Sequence, residues 1–330
     1  MMNLSTNFAG LKLNNPIIAA SSGLTDSIKS IKSLANAGVG AIVLKSIFEE
    51  EILMEMEQIK QQMTGRPYVY PETLDYLDEE PHVDLISSYI ELIEKAKKEV
   101  KIPIIASVNC VSNQKWTYIA KEIESAGADA IELNLFSLPS DLEKPAGEIE
   151  QMYTDLVNEV CSQVKIPIIL KISPYFTSLG QMVNKFSKLP IKGIVLFNRY
   201  YSPDIDINNL ALATSFVLSS PSEIAQPLRW IALLSDSVKT DFAASTGVHT
   251  GADVIKMLLA GASVVQVAST IYNNGEGVIK EMTDFLSNWM KENEYKSIKD
   301  FRGKLSLKGS NNKAPWARVQ FMREFRNFIK

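Results

Sequence analysis

The strongest constraint on the fold of this chain is a regular alternation of short apolar segments with longer segments of helical periodicity. Eight short segments have the composition of strands: 17–20, 41–45, 103–109, 130–135, 167–172, 193–198, 241–245 and 263–267. Helical patterns lie between and after them, at 27–37, 82–100, 116–126, 147–164, 178–188, 223–234, 252–259 and 275–293. Most of the strand segments are apolar throughout, which is typical of strands buried on both faces of a parallel sheet. This order predicts an α/β fold, either a closed barrel or a doubly wound open sheet.

Two features favour a closed (β/α)8 TIM barrel. The strand count is eight, and similar sequences recur where helices lead into strands: Ala37-Gly38-Val39-Gly40-Ala41, Ala126-Gly127-Ala128-Asp129-Ala130 and Ala260-Gly261-Ala262-Ser263. Glycine at such a position supplies the left-handed conformation that ends a helix. A second repeat, Lys101-Ile102-Pro103-Ile104-Ile105 and Lys165-Ile166-Pro167-Ile168-Ile169, places proline at the start of a strand, where no ladder donor is required. We therefore expect one barrel domain built from like units.

Two long segments interrupt this pattern, and the end of the chain differs in composition. Residues 49–81 follow the second predicted strand and residues 200–222 follow the sixth, where a barrel carries its catalytic loops. From about residue 306 the chain contains Gly309-Ser310-Asn311-Asn312 and then a basic run. We predict a single barrel domain over 1–305, with long loops after strands two and six, and a basic C-terminal appendage over 306–330.

Composition excludes several classes of protein. A net charge of −4 over 330 residues does not favour nucleic acid as a partner. No segment reaches the roughly 18 consecutive apolar residues of a membrane span, and the first residues lack the basic start of a signal peptide. Two cysteines, Cys110 and Cys161, and two histidines, His82 and His249, are too few for a histidine- or cysteine-built metal site. We expect a cytoplasmic protein that binds neither a metal nor a membrane.

Polar residues stand where the predicted strands end. Because the carboxyl ends of barrel strands meet at one mouth, these side chains are expected to converge there. They include Ser21, Lys45, Ser46, Asn109, Asn134, Ser137, Lys171, Asn198, Arg199, Ser245, Thr246 and Ser269. Asn134 lies within a strand segment, where asparagine is depleted, and Lys171 follows an apolar run. Two lysines and several asparagines at one mouth suit an electron-rich, anionic aromatic ligand.

The sequence Ser245-Thr246-Gly247 has the composition of a phosphate-binding turn. Successive backbone N–H groups near the start of a helix attract an anion. Val267-Ala268-Ser269-Thr270 would supply the other half, since loops after strands seven and eight commonly hold phosphate in this fold. His249, shortly after the turn, is expected either to touch the phosphate or to cap the helix.

These motifs, in this order, resemble those of the dihydroorotate dehydrogenase superfamily of FMN enzymes over roughly residues 3–290. The stretch Leu13-Asn14-Asn15-Pro16-Ile17-Ile18-Ala19-Ala20-Ser21 is similar to the family's L-x-N-P…A-S opening, and Lys45 to its lysine after strand two. Glu132-Leu133-Asn134 and Lys171-Ile172-Ser173-Pro174 resemble the family motifs E-L-N and K-L-S-P. The segments at 245–248 and 260–267 resemble its two phosphate-binding stretches. Residues 197–206 and 246–250 are similar to a divergent dihydroorotate dehydrogenase-like branch.

The resemblance implies an FMN-dependent oxidoreductase acting on CH–CH bonds, which oxidises dihydroorotate or a related small cyclic carboxylate by hydride transfer to flavin N5. It implies Ser137, Lys171 and Lys45 as catalytic residues, with Ser137 as the base. The substrate contacts that it implies are Lys45, Asn134, Asn198 and Arg199, with Arg199 able to receive a carboxylate. The implied FMN contacts are Ala20, Ser21, Lys45, Ser46, Asn109, Asn134, Lys171, Ser222, Ser245, Thr246, Gly247, Ala268 and Ser269.

The sequence departs from the family at the base and in the substrate loop, and other functions stay open. The base motif reads Asn134-Leu135-Phe136-Ser137-Leu138-Pro139, and the asparagine-rich substrate loop has no counterpart in residues 68–76. Lys171 also suits a phosphate-binding aldolase or isomerase that forms a Schiff base and does no redox chemistry. A flavin subunit that passes electrons to a partner subunit is a further alternative, in which the partner brings the iron–sulfur centre. A homodimer is the expected assembly.

Overall fold

A computed structural model describes residues 2–52, 54, 85–110, 116–135, 140–200, 202–215, 217–311, 313 and 316. Its strands are β1 (Thr6–Phe8), β2 (Leu11–Leu13), β3 (Ile17–Ala19), β4 (Ala41–Val43), β5 (Ile47–Phe48), β6 (Ile104–Cys110), β7 (Ala130–Leu135), β8 (Ile168–Ile172), β9 (Gly193–Leu196), β10 (Ser202–Asp206), β11 (Ala211–Ser215), β12 (Asp241–Ser245) and β13 (Val264–Val267). Its helices are α1 (Ile28–Ala37), α2 (Leu85–Glu99), α3 (Trp116–Ser125), α4 (Ala146–Gln163), α5 (Leu179–Phe186), α6 (Ala225–Leu234), α7 (Gly251–Ala260), α8 (Ser269–Asn274) and α9 (Gly277–Glu292).

The central sheet is a closed parallel barrel, so the predicted (β/α)8 fold is confirmed. Its strands follow the order β4-β3-β13-β12-β9-β8-β7-β6, and β4 pairs with β6 to close the ring. The closing register sets Ile42 opposite Ile104 and Val43 opposite Ile105. The short strand β5 continues beyond β4 and also pairs with β6. Each of the eight predicted strand segments therefore supplies one strand of the barrel.

Local signals in the sequence fix where the helices begin and end. The Ser27 side chain accepts a hydrogen bond at the start of α1, and Gly38 ends that helix with φ of 94°. Thr250 and Asp253 form a reciprocal capping box at the start of α7, and Gly261 ends it with φ of 118°. The left-handed glycines of the predicted repeat are thus confirmed, because only glycine takes this conformation without steric cost.

The barrel interior is filled in layers from its amino end. The β1–β2 hairpin closes that end, where Phe8 and Leu13 pack with inward-facing residues such as Ile105 and Ile169. Thr6 Oγ1 donates to the carbonyl of Ser263 and holds the hairpin in place. Alternate residues of a strand point to opposite faces, so the next inward layer above Ile105 and Ile169 is formed by residues two positions further on. This hairpin was not foreseen from the sequence.

The loop after the sixth barrel strand has a structure of its own. It contains the antiparallel pair β10–β11 and then a short 3-10 helix, Pro221–Ile224. After the last barrel strand, Ser269 begins the short helix α8, a helix that was not predicted. Most of the predicted loop at 49–81 lies outside the described residues. Residues 217–219 of the long loop after strand six line the cavity at the carboxyl end of the barrel.

The chain continues to pack on the barrel beyond α9. The amide of Gly303 donates to the carbonyl of Leu258, and that of Leu305 to Leu259. The amide of Leu307 donates to the carbonyl of Ala232. The boundary between a domain at 1–305 and an appendage at 306–330 stays a prediction, since most of 312–330 lies outside the described residues. Within the described part of the chain, no helix combines the length and apolar character needed to cross a membrane.

Candidate functional site

A cavity of about 970 Å³ opens at the carboxyl end of the barrel strands. Its volume is at the upper end of the range usual for small-molecule and cofactor sites. Fourteen of the residues predicted from the sequence line it: Ala20, Ser21, Lys45, Ser46, Asn109, Asn134, Lys171, Asn198, Arg199, Ser245, Thr246, Gly247, Ala268 and Ser269. Closure of the barrel brings these residues together, because they stand at the same end of its strands.

Three buried side chains form a closed ring at the base of this cavity. Lys171 Nζ donates to Gln266 Oε1 at 2.9 Å and to Glu132 Oε1 at 3.3 Å. Gln266 Nε2 donates to Glu132 Oε2 at 2.5 Å, which completes the ring. The Glu132 side chain is fully buried, while Lys171 retains 6% exposure toward the cavity. An ammonium has three donors, so the ring leaves one N–H of Lys171 for a ligand.

A chain of hydrogen-bonded hydroxyl and amide groups also lies at the base of the cavity. Ser21 Oγ lies 3.0 Å from Ser46 Oγ, which lies 2.7 Å from Ser107 Oγ. Asn134 Nδ2 donates to Ser107 Oγ at 2.9 Å. The Tyr89 hydroxyl accepts from the Ser107 amide at 2.7 Å, and burial raises its pKa well above the usual range. These bonds hold the Asn134 amide in one orientation below the cavity.

Asn109 carries an unsatisfied acceptor in the same cavity. Its Oδ1 is buried and has no hydrogen-bond partner among the described residues, although the side chain is only 5% exposed. Leaving a buried acceptor unpaired costs free energy, so such an atom indicates a donor that a ligand supplies. Asn198 lies nearby, with Nδ2 at 3.5 Å from Asn134 Oδ1. All three asparagines line the cavity, and their amide groups offer both donors and acceptors to a ligand.

The turn at residues 245–247, which was predicted to bind phosphate, contains two successive residues with positive φ. Thr246 and Gly247 are consecutive left-handed residues, with φ of 81° and 76°. Successive backbone N–H groups in such a turn point to a common centre and attract an anion. A Cβ at Gly247 would lie 2.2 Å from the backbone nitrogen of Ile224, so the turn also requires glycine for close packing. Ala268 and Ser269 face this turn across the cavity.

The loop after strand six places Ser219, not Ser222, in the cavity. The amide of Ser219 donates to Ser269 Oγ at 2.9 Å, and its own Oγ accepts from the Gly247 amide at 3.4 Å. Ser222 is exposed, lies in an adjoining groove of about 310 Å³ and bonds to Ser220. The role predicted for Ser222 therefore stays a prediction without support from the cavity. The sequence signal that could have found Ser219 is the serine-rich run before the 3-10 helix.

The two remaining cations differ in their surroundings. Arg199 Nε donates to Glu223 Oε2 at 2.6 Å, and Arg199 Nη1 donates to the carbonyl of Val217 at 2.9 Å. Burial acts to raise the pKa of Glu223, but hydrogen bonds from Arg199 and Ser220 outweigh it and hold that pKa below its usual value. Lys45 is exposed at the rim of the cavity. Ser137, the predicted base, lies outside the described residues.

The geometry around Lys171 bears on the choice between redox and Schiff-base chemistry. A Schiff base requires a neutral amine as nucleophile. Lys171 Nζ is instead held by Glu132 and Gln266, so it is not free to approach a carbonyl carbon. No group of three or more histidine, cysteine, aspartate or glutamate side chains that could hold a metal occurs in the described part of the chain. The fold and the site thus define a (β/α)8 barrel with a large polar cavity at the carboxyl end of its strands, lined by cationic, amide and hydroxyl groups.

Comparison with known proteins gives the family. A family model described as "Dihydroorotate dehydrogenase" matches residues 78–290, which is well over half of the chain, and the chain belongs to this family. The predicted class, an oxidoreductase acting on CH–CH bonds, is thereby confirmed. The matched range includes the motifs around Asn134 and Lys171.

Individual relatives carry two kinds of name. The chain is 28% identical to "Dihydroorotate dehydrogenase B (NAD(+)), catalytic subunit" of Thermoplasma volcanium, over 92% of this chain and 98% of that protein. It is 24% identical to "NAD-dependent dihydropyrimidine dehydrogenase subunit PreA" of Escherichia coli, over 91% of this chain and 76% of that protein. It is 22% identical to "Dihydropyrimidine dehydrogenase (NADP(+)), chloroplastic" of Arabidopsis thaliana, over 91% and 76%. The relatives thus share the family but differ in the substrate that their names state.

Proposed function

We propose that this chain is an FMN-dependent oxidoreductase that oxidises dihydroorotate or a related small cyclic substrate. The observation that carries the proposal is the cavity itself. It combines Lys171, whose Nζ is held by neighbouring side chains, with the Asn109 Oδ1 that has no partner among the described residues and with the left-handed turn at 245–247. The first two suit the polar edge of a flavin ring, and the turn suits its phosphate.

The residues present fit FMN at both of its ends. Ser245, Thr246, Gly247, Ala268 and Ser269 would hold the phosphate through backbone and hydroxyl donors. Along the ring, the contacts would come from Ala20, Ser21, Lys45, Ser46, Asn109, Asn134 and Lys171. The unsatisfied Asn109 acceptor matches an N–H donor of the ring, and the free N–H of Lys171 matches an acceptor. Bound FMN would supply a two-electron acceptor for the substrate.

Lys171 would place a positive charge beside the ligand without moving during the reaction. Its Nζ is fixed by Glu132 and Gln266, so its remaining donor has one direction. A preorganised donor stabilises charge that develops in a reaction at no cost of reorganisation. The same fixation is unfavourable for a Schiff-base aldolase or isomerase, which needs a free neutral amine.

The substrate would bind above the three asparagines at the mouth of the cavity. Asn134 and Asn198 would orient it, and Lys45 would approach from the rim. Ser137 would accept the substrate proton, which a serine does only when a further group carries that proton away. Arg199 would receive a substrate carboxylate only after releasing part of its contact with Glu223.

A dihydropyrimidine without a carboxylate is the second candidate substrate. It is favoured by one observation, namely that Arg199 is already bonded to Glu223 and Val217 and is not directed at a substrate carboxylate. Two relatives also carry the name dihydropyrimidine dehydrogenase.

The test is the absorption spectrum of the purified protein followed by anaerobic titration. We expect a flavin spectrum that dihydroorotate or dihydrouracil bleaches. Bleaching by dihydroorotate alone selects the first substrate, and bleaching by dihydrouracil alone selects the second. A protein that is colourless as purified, and that is still colourless after incubation with FMN and removal of the free flavin, would refute the proposal.

A partner subunit would accept the electrons in the cytoplasm. Relatives are named as the catalytic subunit of a dihydroorotate dehydrogenase or as a subunit of a dihydropyrimidine dehydrogenase. The β10–β11 hairpin supplies a surface for association with a second copy, since Ile205, Leu210 and Leu212 are 63%, 87% and 89% exposed. An isolated two-stranded hairpin is marginal in water unless another surface covers it. Sedimentation of the wild type and of Leu212→Glu would test a homodimer, which the variant should weaken.

A further inference from the structure

His249 contacts the predicted phosphate site indirectly, through the side chain of Ser219. Its Nε2 lies 3.3 Å from Ser219 Oγ, while the His249 ring does not line the cavity. Its backbone is anchored twice, by its amide donating to Asp253 Oδ2 and by its carbonyl accepting from Thr270 Oγ1. The imidazole is therefore held at a fixed place between the loops after strands six, seven and eight.

Ser219 is the point where those three loops meet. Its amide binds Ser269 Oγ from the loop after strand eight, and its Oγ accepts from the Gly247 amide of the loop after strand seven. A serine hydroxyl has one donor and two acceptor sites. Gly247 already occupies one acceptor site, so the role of His249 decides where the single O–H points.

The two possible roles of the histidine have opposite consequences. If Nε2 accepts, the Ser219 O–H is directed at the imidazole and is lost to the ligand. If Nε2 donates, both acceptor sites of Ser219 are filled and its O–H is left to point into the cavity. The second arrangement adds one hydroxyl donor beside the 245–247 turn, where an anion needs donors.

We propose that His249 is a positioning residue that donates from Nε2 to Ser219 and so turns the Ser219 hydroxyl toward the ligand phosphate. The proposal depends on the proposed function, in which that phosphate belongs to FMN. It adds Ser219 and His249 to the anion site, neither of which supplies a group to the flavin ring.

The experiment compares flavin release from full-length protein loaded with FMN and with riboflavin, which lacks the phosphate. Release on dilution is followed by the recovery of free-flavin fluorescence. We expect Ser219→Ala and His249→Phe to speed FMN release about 10-fold, the scale of one hydrogen bond to a charged group. Riboflavin release should change less than about 2-fold, because the lost donor faces only the phosphate.

His249→Gln is the conservative variant, because its side-chain amide keeps an N–H donor near the position of Nε2. It should retain FMN almost as well as the wild type. Ser162→Ala, which removes a serine hydroxyl from an exposed helix position, is the matched control and should release both flavins at wild-type rates.

Three results would overturn the inference: equal acceleration of both flavins in His249→Phe, unchanged FMN release in that variant, or a His249→Gln variant as impaired as His249→Phe. If His249→Phe does not fold, Ser219→Ala and His249→Gln decide the question alone. A wild type that binds neither flavin would instead refute the proposed function, so the two failures are distinguishable.

Discussion

Lys171 Nζ lies 3.3 Å from Oε1 of Glu132, and both side chains are buried between the apolar barrel interior and the cavity. The pair is held by Gln266, which bonds to both partners from the opposite side of the barrel. A buried pair that loses one partner leaves a charge without compensation, and this is more costly than loss of the whole pair.

We expect Glu132→Gln and Lys171→Met each to lower the free energy of unfolding by about 3 kcal/mol. The double variant should cost clearly less than the sum of the two, because no uncompensated charge remains. Denaturant unfolding of the flavin-free protein measures all three. The exposed pair Lys280–Asp284 is the control, and its removal should cost about 0.5 kcal/mol or less. Additive effects at Glu132 and Lys171 would contradict a coupled buried pair.

Substitution by leucine should affect the stability of the flavin-free protein more at Asn134 than at Asn109. Asn134→Leu should destabilise the flavin-free protein by about 2 kcal/mol, because Ser107 and Ser46 lose a donor. Asn109→Leu should change that stability by less than about 1 kcal/mol, since its Oδ1 has no partner to lose.

In the same pair of variants, FMN binding should weaken at both positions. Fluorescence titration of FMN should show a loss of about tenfold or more for Asn109→Leu despite its stability. A stable Asn109→Leu variant with wild-type FMN affinity would show that the unpaired acceptor does not serve the cofactor.

The requirement for glycine in the 245–247 turn can be tested at Gly247, with Gly10 as the matched control. Both have positive φ, of 76° and 84°, but a Cβ meets the Ile224 backbone at Gly247 and nothing within 4 Å at Gly10. Gly10→Ala should cost about 1 kcal/mol of conformational strain and leave flavin binding unchanged. Gly247→Ala should displace the 3-10 helix and abolish retention of FMN during purification. Equal effects of the two substitutions would mean that strain alone, without close packing, governs the turn.

The contribution of Glu223, in the loop after strand six, to the stability of the protein should be lost at acid pH. Its pKa in the folded protein is below the ordinary 4.5, so its contribution to stability is present above that pH and is lost as pH falls through the lowered pKa. The difference in stability between wild type and Glu223→Gln should therefore be largest near neutral pH and shrink below about pH 4.5. Thermal unfolding across this range measures it. A difference that stays constant with pH would contradict the assigned contact with Arg199.

Much of the site was predictable because it depends on strand ends. Asn109, Asn134 and Lys171 follow or lie within apolar strand segments, and the closed barrel brings their carboxyl ends to one cavity. Ser107 and Gln266 were not predicted, although each is a polar residue within an apolar strand segment, which is the signal that singled out Asn134. Ser219 was missed because the serine-rich run 219–222 indicates that a hydroxyl could face the cavity but does not say which of its serines does so.

The sequence by itself determined the barrel and the faces of its strands. Apolar runs, glycines after helices and the alternation of side chains along a strand are local properties, and each acts within a few residues. Only the tertiary structure decided which inward side chains meet. Glu132 and Gln266 are 134 positions apart, and Ser219 and His249 belong to loops separated by a helix and a strand. The physical reason is that periodicity fixes the face of a residue, whereas its partner across a closed barrel depends on how all the strands pair.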